Sequence, residues 1–261
     1  MFEVKDLSAG YGGTAKATEI IHNISFKVQK GESLCILGPN GSGKSTLLKA
    51  IAHIINSRGL VTHNGIDIAS LPRKELAKKI ALLGQITQVY FPYTVYETVS
   101  MGRYAHSQGF LKNPSAKDKD VIDNILKKLD IWDIKQRMID ELSGGTLQRV
   151  FLARTLAQTP DIILLDEPAN HLDLKHQIEL IKFLKSWVST QPEAAENGKT
   201  LIGVFHDLNL ARLFGDTAVV LDNGKIAANG TIEEVLNSDA LQKVYDIDIR
   251  GFMRESLERW R

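Results

Sequence analysis

The stretch from Leu34 to Ile55 constrains the fold more than any other. Leu34-Cys35-Ile36-Leu37 is a wholly apolar run of strand length, and Leu47, Leu48, Ile51, Ile54 and Ile55 recur at helical spacing from Lys44 onward. Between them lies Gly38-Pro39-Asn40-Gly41-Ser42-Gly43-Lys44-Ser45, with Thr46 next. This matches G-x-x-x-x-G-K-[ST] in the strand, loop and helix context that its mechanism needs. Glycines let the backbone curl so that successive N–H groups and the helix N-terminus point at phosphates. Lys44 adds a point charge and Ser45 a Mg²⁺ ligand. The unit implies a nucleoside triphosphate and no more, because small kinases, GTPases and helicase-like motors share it.

Periodicity places the rest of the chain around that unit. Phe2 and Val4, then Ile24, Phe26 and Val28, alternate as antiparallel strands. Residues 72–79 read as a helix and Ile80 to Leu83 as a strand, and from about Thr94 to Ala157 the pattern is mainly helical. Two more apolar strands, Ile162 to Leu165 and Leu201 to Phe205, each lead into helical periodicity, which returns the chain to an α/β sheet. Residues 190–199 form a polar loop. Asn223-Gly224, between Ala218–Leu221 and Ile226–Ala228, favours a tight hairpin turn. The last twenty residues are at most amphipathic helix.

A second chemical feature is the strand Ile162-Ile163-Leu164-Leu165, which ends in Asp166-Glu167-Pro168. Two carboxylates thus stand at the carboxyl edge of the sheet, where open α/β folds bind ligands. Asp166 suits Mg²⁺, held through water, and Glu167 suits the orientation and deprotonation of a water attacking the γ-phosphate. The alternative is that the acids merely cap the following helix.

Charge and composition exclude several partners. Thirty-two basic residues oppose thirty-one acidic ones, a net charge of +1, and no basic, aromatic-rich stretch occurs, so no nucleic-acid partner is expected. The single cysteine, Cys35, reads as a small buried hydrophobe. The N-terminus lacks the pattern of a signal or transit peptide, and the apolar runs are of strand length, so a cytoplasmic location is expected, with any membrane crossed by another chain.

Leu142-Ser143-Gly144-Gly145-Thr146-Leu147-Gln148-Arg149 resembles the signature motif of ABC ATPases. A serine hydroxyl and glycine N–H groups at a helix start make a second anion site. The resemblance covers nearly the whole chain. It implies a P-loop NTPase (ABC ATPase) α/β core with an antiparallel β subdomain and an inserted α-helical subdomain. The single ABC ATPase domain, residues 1–261, then divides into a nucleotide-binding core with its β subdomain (1–86 and 159–235), a helical subdomain (87–158) and a C-terminal helical extension (236–261). It also implies that Ser143, Gly144 and Gly145 meet the nucleotide of a second, head-to-tail copy. Thr146 and Leu147 depart from the family, in which a polar Gln or Glu and then Arg are usual. By the same resemblance Tyr11 stacks on adenine, Gln85 reaches the metal and the water, and His206 touches the γ-phosphate. Asn170-His171-Leu172-Asp173 meets the partner. His171, Asp173 and His176 fit no common zinc spacing.

Within that family, Tyr93 to Tyr104 resembles the "TV-x-E-x-V-x-x-G-R" segment, and Pro168 to Gln177 the "P-T-N-H-L-D-x-x-H-Q" segment, of importer ATPases for iron-siderophore, haem and vitamin B12 (cobalamin); Ala169 stands in place of the usual threonine. The helical stretch Val95 to Tyr104 reads equally as ordinary subdomain core. The resemblance implies ATP and Mg²⁺ as cofactors, a membrane permease docked at the segment after Gln85, an external substrate-binding protein acting indirectly, and a place on the inner face of the membrane. Two rivals remain at this stage: an ABC ATPase of a soluble assembly, for iron–sulfur cluster delivery or DNA repair, and an ATP-dependent clamp with little turnover.

Overall fold

The computed structural model describes residues 1–12, 18–85, 92–107, 114–170, 172–189 and 199–259. Alternating apolar residues build the first sheet. β1 (Phe2–Tyr11) buries Phe2, Val4, Leu7 and Ala9 and pairs antiparallel with β2 (Thr18–Val28) on one side and β4 (Ser57–His63) on the other. The two-residue β5 (Ile66–Asp67) completes the order β2-β1-β4-β5. β3 (Ser33–Leu37), buried at all five residues, instead joins a six-stranded sheet with β6 (Ile80–Leu83, which follows the helix α2, Arg73–Lys79), β7 (Ile162–Asp166), β8 (Thr200–Val204), β9 (Thr217–Asp222) and β10 (Lys225–Thr231). Its order is β10-β9-β3-β8-β7-β6, parallel throughout except for the β9–β10 hairpin.

Continuous burial means that both faces of the large sheet are covered. Leu34, Ile36, Ile162, Leu164, Ile202 and Val204 face the first sheet and the helix α1 (Lys44–Ile51). Cys35, Leu37, Ile163, Leu165 and Leu201 face the other way, with Val95 and Val99 of α3 (Val95–Ser100), Ile122 and Leu126 of α4 (Ala116–Lys128) and Val150 and Leu152 of α5 (Gly144–Ala157). Neighbouring residues of one strand therefore serve different cores. Each such buried aliphatic side chain contributes about 1.5–3 kcal/mol, and together they fix where the strand ends, and the loops beyond them, can stand. Cys35 is fully buried, its thiol bonded to the Ala211 carbonyl at 3.2 Å and its pKa pushed up by burial, as expected of a small core residue.

One element differs from the sequence reading. The helix after the glycine-rich loop stops at Ile51, short of Ile55, because His53 takes a left-handed conformation (φ 53°). His53 N–H then bonds Ala50 O at 3.0 Å and Ile54 N–H bonds Lys49 O at 2.9 Å, the paired closure of a Schellman motif, which leaves Ile54 exposed. The C-terminal region carries the amphipathic helix expected of its last twenty residues and adds buried contacts before it. It forms the helices Ile232–Leu236, Asp239–Tyr245 and Ile249–Glu258, with Leu241 completely buried in the second core. The hairpin turn follows expectation, with Asn223 (φ 45°) and Gly224 (φ 73°) both at positive φ.

The segment that resembles the importer ATPases has structural work at each fixed position. Thr94 and Glu97 form a reciprocal capping box for α3. Val95 and Val99 are core, and a Cβ on Gly102 would strike the Arg154 carbonyl oxygen of α5. Arg103 is buried; its Nε donates to Asp118 at 2.8 Å and its Nη1 to the Ala157 carbonyl at 2.7 Å, which locks the start of α4 to the end of α5. The ordinary-core reading of this segment is thus what its side chains do.

Candidate active site

The loop Gly38–Gly43 is held from outside at Gly38, Ser42 and Gly43. Gly38 (φ 141°) sits where a Cβ would run into the Leu221 carbonyl oxygen of β9, and a Cβ on Gly43 (φ 101°) would meet Ile21 of β2. The hairpin tip closes the remaining side, with Gly224 N–H donating to the Ser42 carbonyl at 3.2 Å and Gly224 O accepting from His22 N–H at 2.8 Å. Helix α1 begins at Lys44 with no side-chain cap and no acidic residue in its first turn. By contrast, Thr94, Ser115, Ser143, Asp207, Thr231 and Ser238 each cap a helix with a side-chain oxygen. The N–H groups of α1 are left for an anion.

Lys44 Nζ donates to the Gly38 and Pro39 carbonyls, both at 2.8 Å. Burial lowers its pKa, while the charges of Glu167 and Asp166 pull it back up. Ser42 Oγ is buried without a protein partner, an orphaned polar atom inside the loop. Ser45 Oγ donates to Asp166 Oδ1 at 3.0 Å, so a hydroxyl and a carboxylate from the two motifs share one spot. This pair of hard oxygen donors fits Mg²⁺. Burial raises the pKa of Asp166; the Ser45 bond opposes the rise and the neighbouring Glu167 charge adds to it. Among the described residues, no group of three or more His, Cys, Asp or Glu side chains could hold a metal ion.

Glu167 is the meeting point of three other side chains. Its backbone is left-handed (φ 54°), a conformation uncommon for a non-glycine residue and typical of functional sites. Oε2 accepts from Gln85 Nε2 at 2.7 Å and from Asn170 Nδ2, while Oε1 is bonded to His206 Nε2. Gln85 follows β6, His206 follows β8 and Glu167 follows β7, so adjacent strands deliver all three groups to one edge. A cleft of about 120 Å³, lined by Gln85, Asp166, Glu167, Asn170, Gly144, Leu147 and Gln148, opens beside them.

The start of α5 is built differently. Ser143 caps it, its Oγ accepting weakly from Thr146 N–H at 3.4 Å and lying 3.0 Å from Thr146 Oγ1. Ser143 and Gly144 are exposed, and a Cβ on Gly144 would meet nothing within 4 Å. Gln148 Nε2 donates to the Pro168 carbonyl at 2.9 Å and ties α5 to the loop after Glu167.

The fold therefore brings Lys44, Ser45, Gln85, Asp166, Glu167 and His206 to one place; the start of α5 lies beside it, with Gly144 on the cleft shared with Glu167 and with Ser143 and Gly145 facing a second cleft beside Asp173 and His176. Tyr11 stands exposed at the end of β1, with Lys49 Nζ of α1 5.8 Å from its ring centroid. Asp173 and His176 pair with each other at 2.7 Å at the start of α6 (Leu174–Ser189), while His171 and the segment 86–91 lie outside the described residues. Sequence reasoning missed Asn170 as a holder of Glu167, although its place three residues along in a turn (Asn170 N–H to Glu167 O, 3.2 Å) was a usable signal. It also missed Gly224 and Tyr245 as supports of the loop, for which no local signal exists.

Comparisons with known proteins agree with this geometry. The profile of the ABC transporter family matches residues 21–170. The petrobactin import ATP-binding protein YclP of Bacillus subtilis is 39% identical over 250 residues, covering 95% of this chain and 94% of that protein. The hemin import ATP-binding protein HmuV of Rhodopseudomonas palustris is 37% identical over 239 residues, 88% of this chain and 83% of that protein. Among solved structures, a dimeric ATP-binding cassette in a post-hydrolysis state with ADP and phosphate superimposes with a TM-score of 0.74 at 29% identity, covering 89% of this chain and 99% of that one.

Proposed function

We propose, because the chain belongs to the ABC transporter family and is an ATP-hydrolysing cassette of the importer kind, that two copies close head to tail around two ATP molecules and drive a membrane permease. The observation that carries the reading is the Glu167 carboxylate, held at once by Gln85, Asn170 and His206 beside an uncapped helix start.

Each nucleotide lies between the loop Gly38–Thr46 of one copy, with Tyr11 against the adenine, and Ser143, Gly144 and Gly145 of the other. Lys44 exchanges its two carbonyl partners for phosphate oxygens, a charge-assisted and therefore stronger contact. Ser45 and Asp166, with Gln85, would hold Mg²⁺, whose charge offsets the negative charge of the phosphates. Glu167 orients the attacking water and takes its proton, and His206 steadies both the carboxylate and the γ-phosphate. Loss of the γ-phosphate removes the group that bridges the two anion sites, and the pair reopens.

The names of the similar importers, petrobactin and hemin, support an iron-siderophore or haem as cargo, and cobalamin rests on the motif resemblance alone. Among the described residues no helix is long and apolar enough to cross a membrane. The permease would therefore hold the chain on the inner face, with an external binding protein delivering the cargo. The departure at Thr146 and Leu147 leaves room for one second reading, a clamp with little turnover, against which the paired Glu167 and His206 argue.

ATP hydrolysis by the purified chain, with and without its co-expressed permease, separates these readings. Turnover raised by the permease supports the importer, and unstimulated turnover supports a soluble assembly. ATP binding with no turnover in either setting supports the clamp. Glu167→Gln is expected to lose at least about 100-fold in turnover and to accumulate ATP-bound dimers on size-exclusion chromatography.

A further inference from the structure

The C-terminal helices reach the phosphate loop through one hydrogen bond. Tyr245, the last residue of the helix Asp239–Tyr245, accepts at its hydroxyl from the Gly38 N–H at 3.0 Å, across 207 positions of sequence. Gly38 lies one residue past the end of β3, beyond the last ladder pairs Leu37–Val220 and Ile36–Val204. Its N–H is thus outside the sheet's own hydrogen bonding. A part-buried donor without a partner costs more than an ordinary hydrogen bond gains.

The helix that carries Tyr245 is itself fixed. Ser238 caps it by accepting from Leu241 N–H at 3.2 Å, Leu241 is fully buried, and Asp239 pairs with Arg250 of the next helix at 2.9 Å. On the other side of the same peptide, the Gly38 carbonyl accepts from Lys44 Nζ. One residue therefore joins the C-terminal helices to the lysine of the loop, while the Leu221 carbonyl blocks its Cα from behind.

We infer that Tyr245 is a positioning residue for the phosphate loop, so that the C-terminal helices set ATP affinity. The inference rests on residues 38–46 being the phosphate loop. Without the hydroxyl, the Gly38 N–H loses its partner and the first peptide of the loop is held less firmly for phosphate, which weakens ground-state nucleotide binding more than the chemistry at Glu167.

Tyr245→Phe keeps the ring and removes only the acceptor. In the full chain, its KM for Mg·ATP is expected to rise roughly three- to tenfold, with kcat at saturation within about twofold. Leu241→Val, which disturbs packing in the same helix, should lower Tm and leave KM unchanged. A Tyr245→Phe KM within about twofold of wild type overturns the inference, as does an equal KM rise in Leu241→Val, which would mark a merely structural role. Lys44→Ala separates the two layers of the argument: if it keeps wild-type ATP affinity, the loop assignment fails, and if it loses affinity while Tyr245→Phe does not, only the role of Tyr245 fails.

Discussion

Two helix starts in this molecule suit anions, and they are built in opposite ways. The start of α1 is enclosed: β9 blocks Gly38, β2 blocks Gly43, the hairpin tip holds Ser42, and Lys44 and Ser45 have internal partners. The start of α5 is open, with its serine exposed, its first glycine facing empty space and its serine cap closed on Thr146 of the same helix. A site that is complete within one chain can be preorganised by that chain. A site left open on the surface can gain its other half from outside, which is what the proposed composite site asks of the start of α5.

Glycine substitutions should split the two starts most sharply. Gly38→Ala adds a Cβ against a backbone carbonyl at a positive φ and should destabilise the fold by roughly 2–6 kcal/mol, visible as a large fall in Tm together with loss of ATP binding. Gly144→Ala adds a Cβ in open space at a helix start and should leave Tm unchanged or raise stability by at most about 1 kcal/mol. Its ATP-dependent dimerisation and turnover should nevertheless fall at least about tenfold if the start of α5 faces the phosphate as proposed, because the new methyl group would stand in its way. A Gly144→Ala chain that turns over normally would remove α5 from the composite site.

A smaller effect concerns Thr146. When its hydroxyl donates to Ser143 Oγ, as its N–H already does, both acceptor positions of Ser143 are filled and the serine proton points outward, ready for an anion. Thr146→Val should lower turnover about three- to tenfold with unchanged Tm, and Thr146→Ser should restore it. Equal turnover in Thr146→Val and wild type would make the departure from the family pattern neutral.

The smallest effect is a pH dependence confined to the enclosed start. Burial raises the carboxyl pKa of Asp166 above the usual aspartate value of about 3.9. Mg²⁺ needs the ionised form, so Mg²⁺-dependent ATP binding should weaken on acidification at a higher pH than an ordinary aspartate would give, and Asp166→Asn should abolish that dependence. In the nucleotide-free chain the sign reverses. A raised native pKa contributes stability that is present below the unfolded pKa and lost as pH rises through the native one. Titration calorimetry across that range, with thermal melts of the same samples, tests both signs.

Much of this was legible in the sequence because the chemistry is local. Gly38 to Ser45 sits between a strand and a helix, Asp166-Glu167 ends a buried strand, and parallel pairing of β6, β7 and β8 then necessarily gathers Gln85, Glu167 and His206 at one edge. What escaped depends on backbone detail or distance. The αL turn at His53, which shortens α1, is not encoded by apolar spacing, and the bond from Tyr245 to Gly38 joins elements whose only relation is tertiary packing. The segment Tyr93 to Tyr104 gives the opposite lesson. Its resemblance to importer ATPases was readable, yet its Thr94 cap, Gly102 contact and buried Arg103 serve packing, so it speaks for lineage more than for cargo.

The Asn223-Gly224 turn has a consequence for how the chain can be rebuilt. Hairpin tips are the customary places to splice in a reporter or open new termini. Here the tip is also a clasp, with Gly224 bonded to Ser42 and His22 and with no room for a side chain beside Ile20. An insertion at that turn would unfasten the nucleotide loop from its outer wall, so the outermost bend of the β9–β10 ribbon is among the least negotiable points in the molecule.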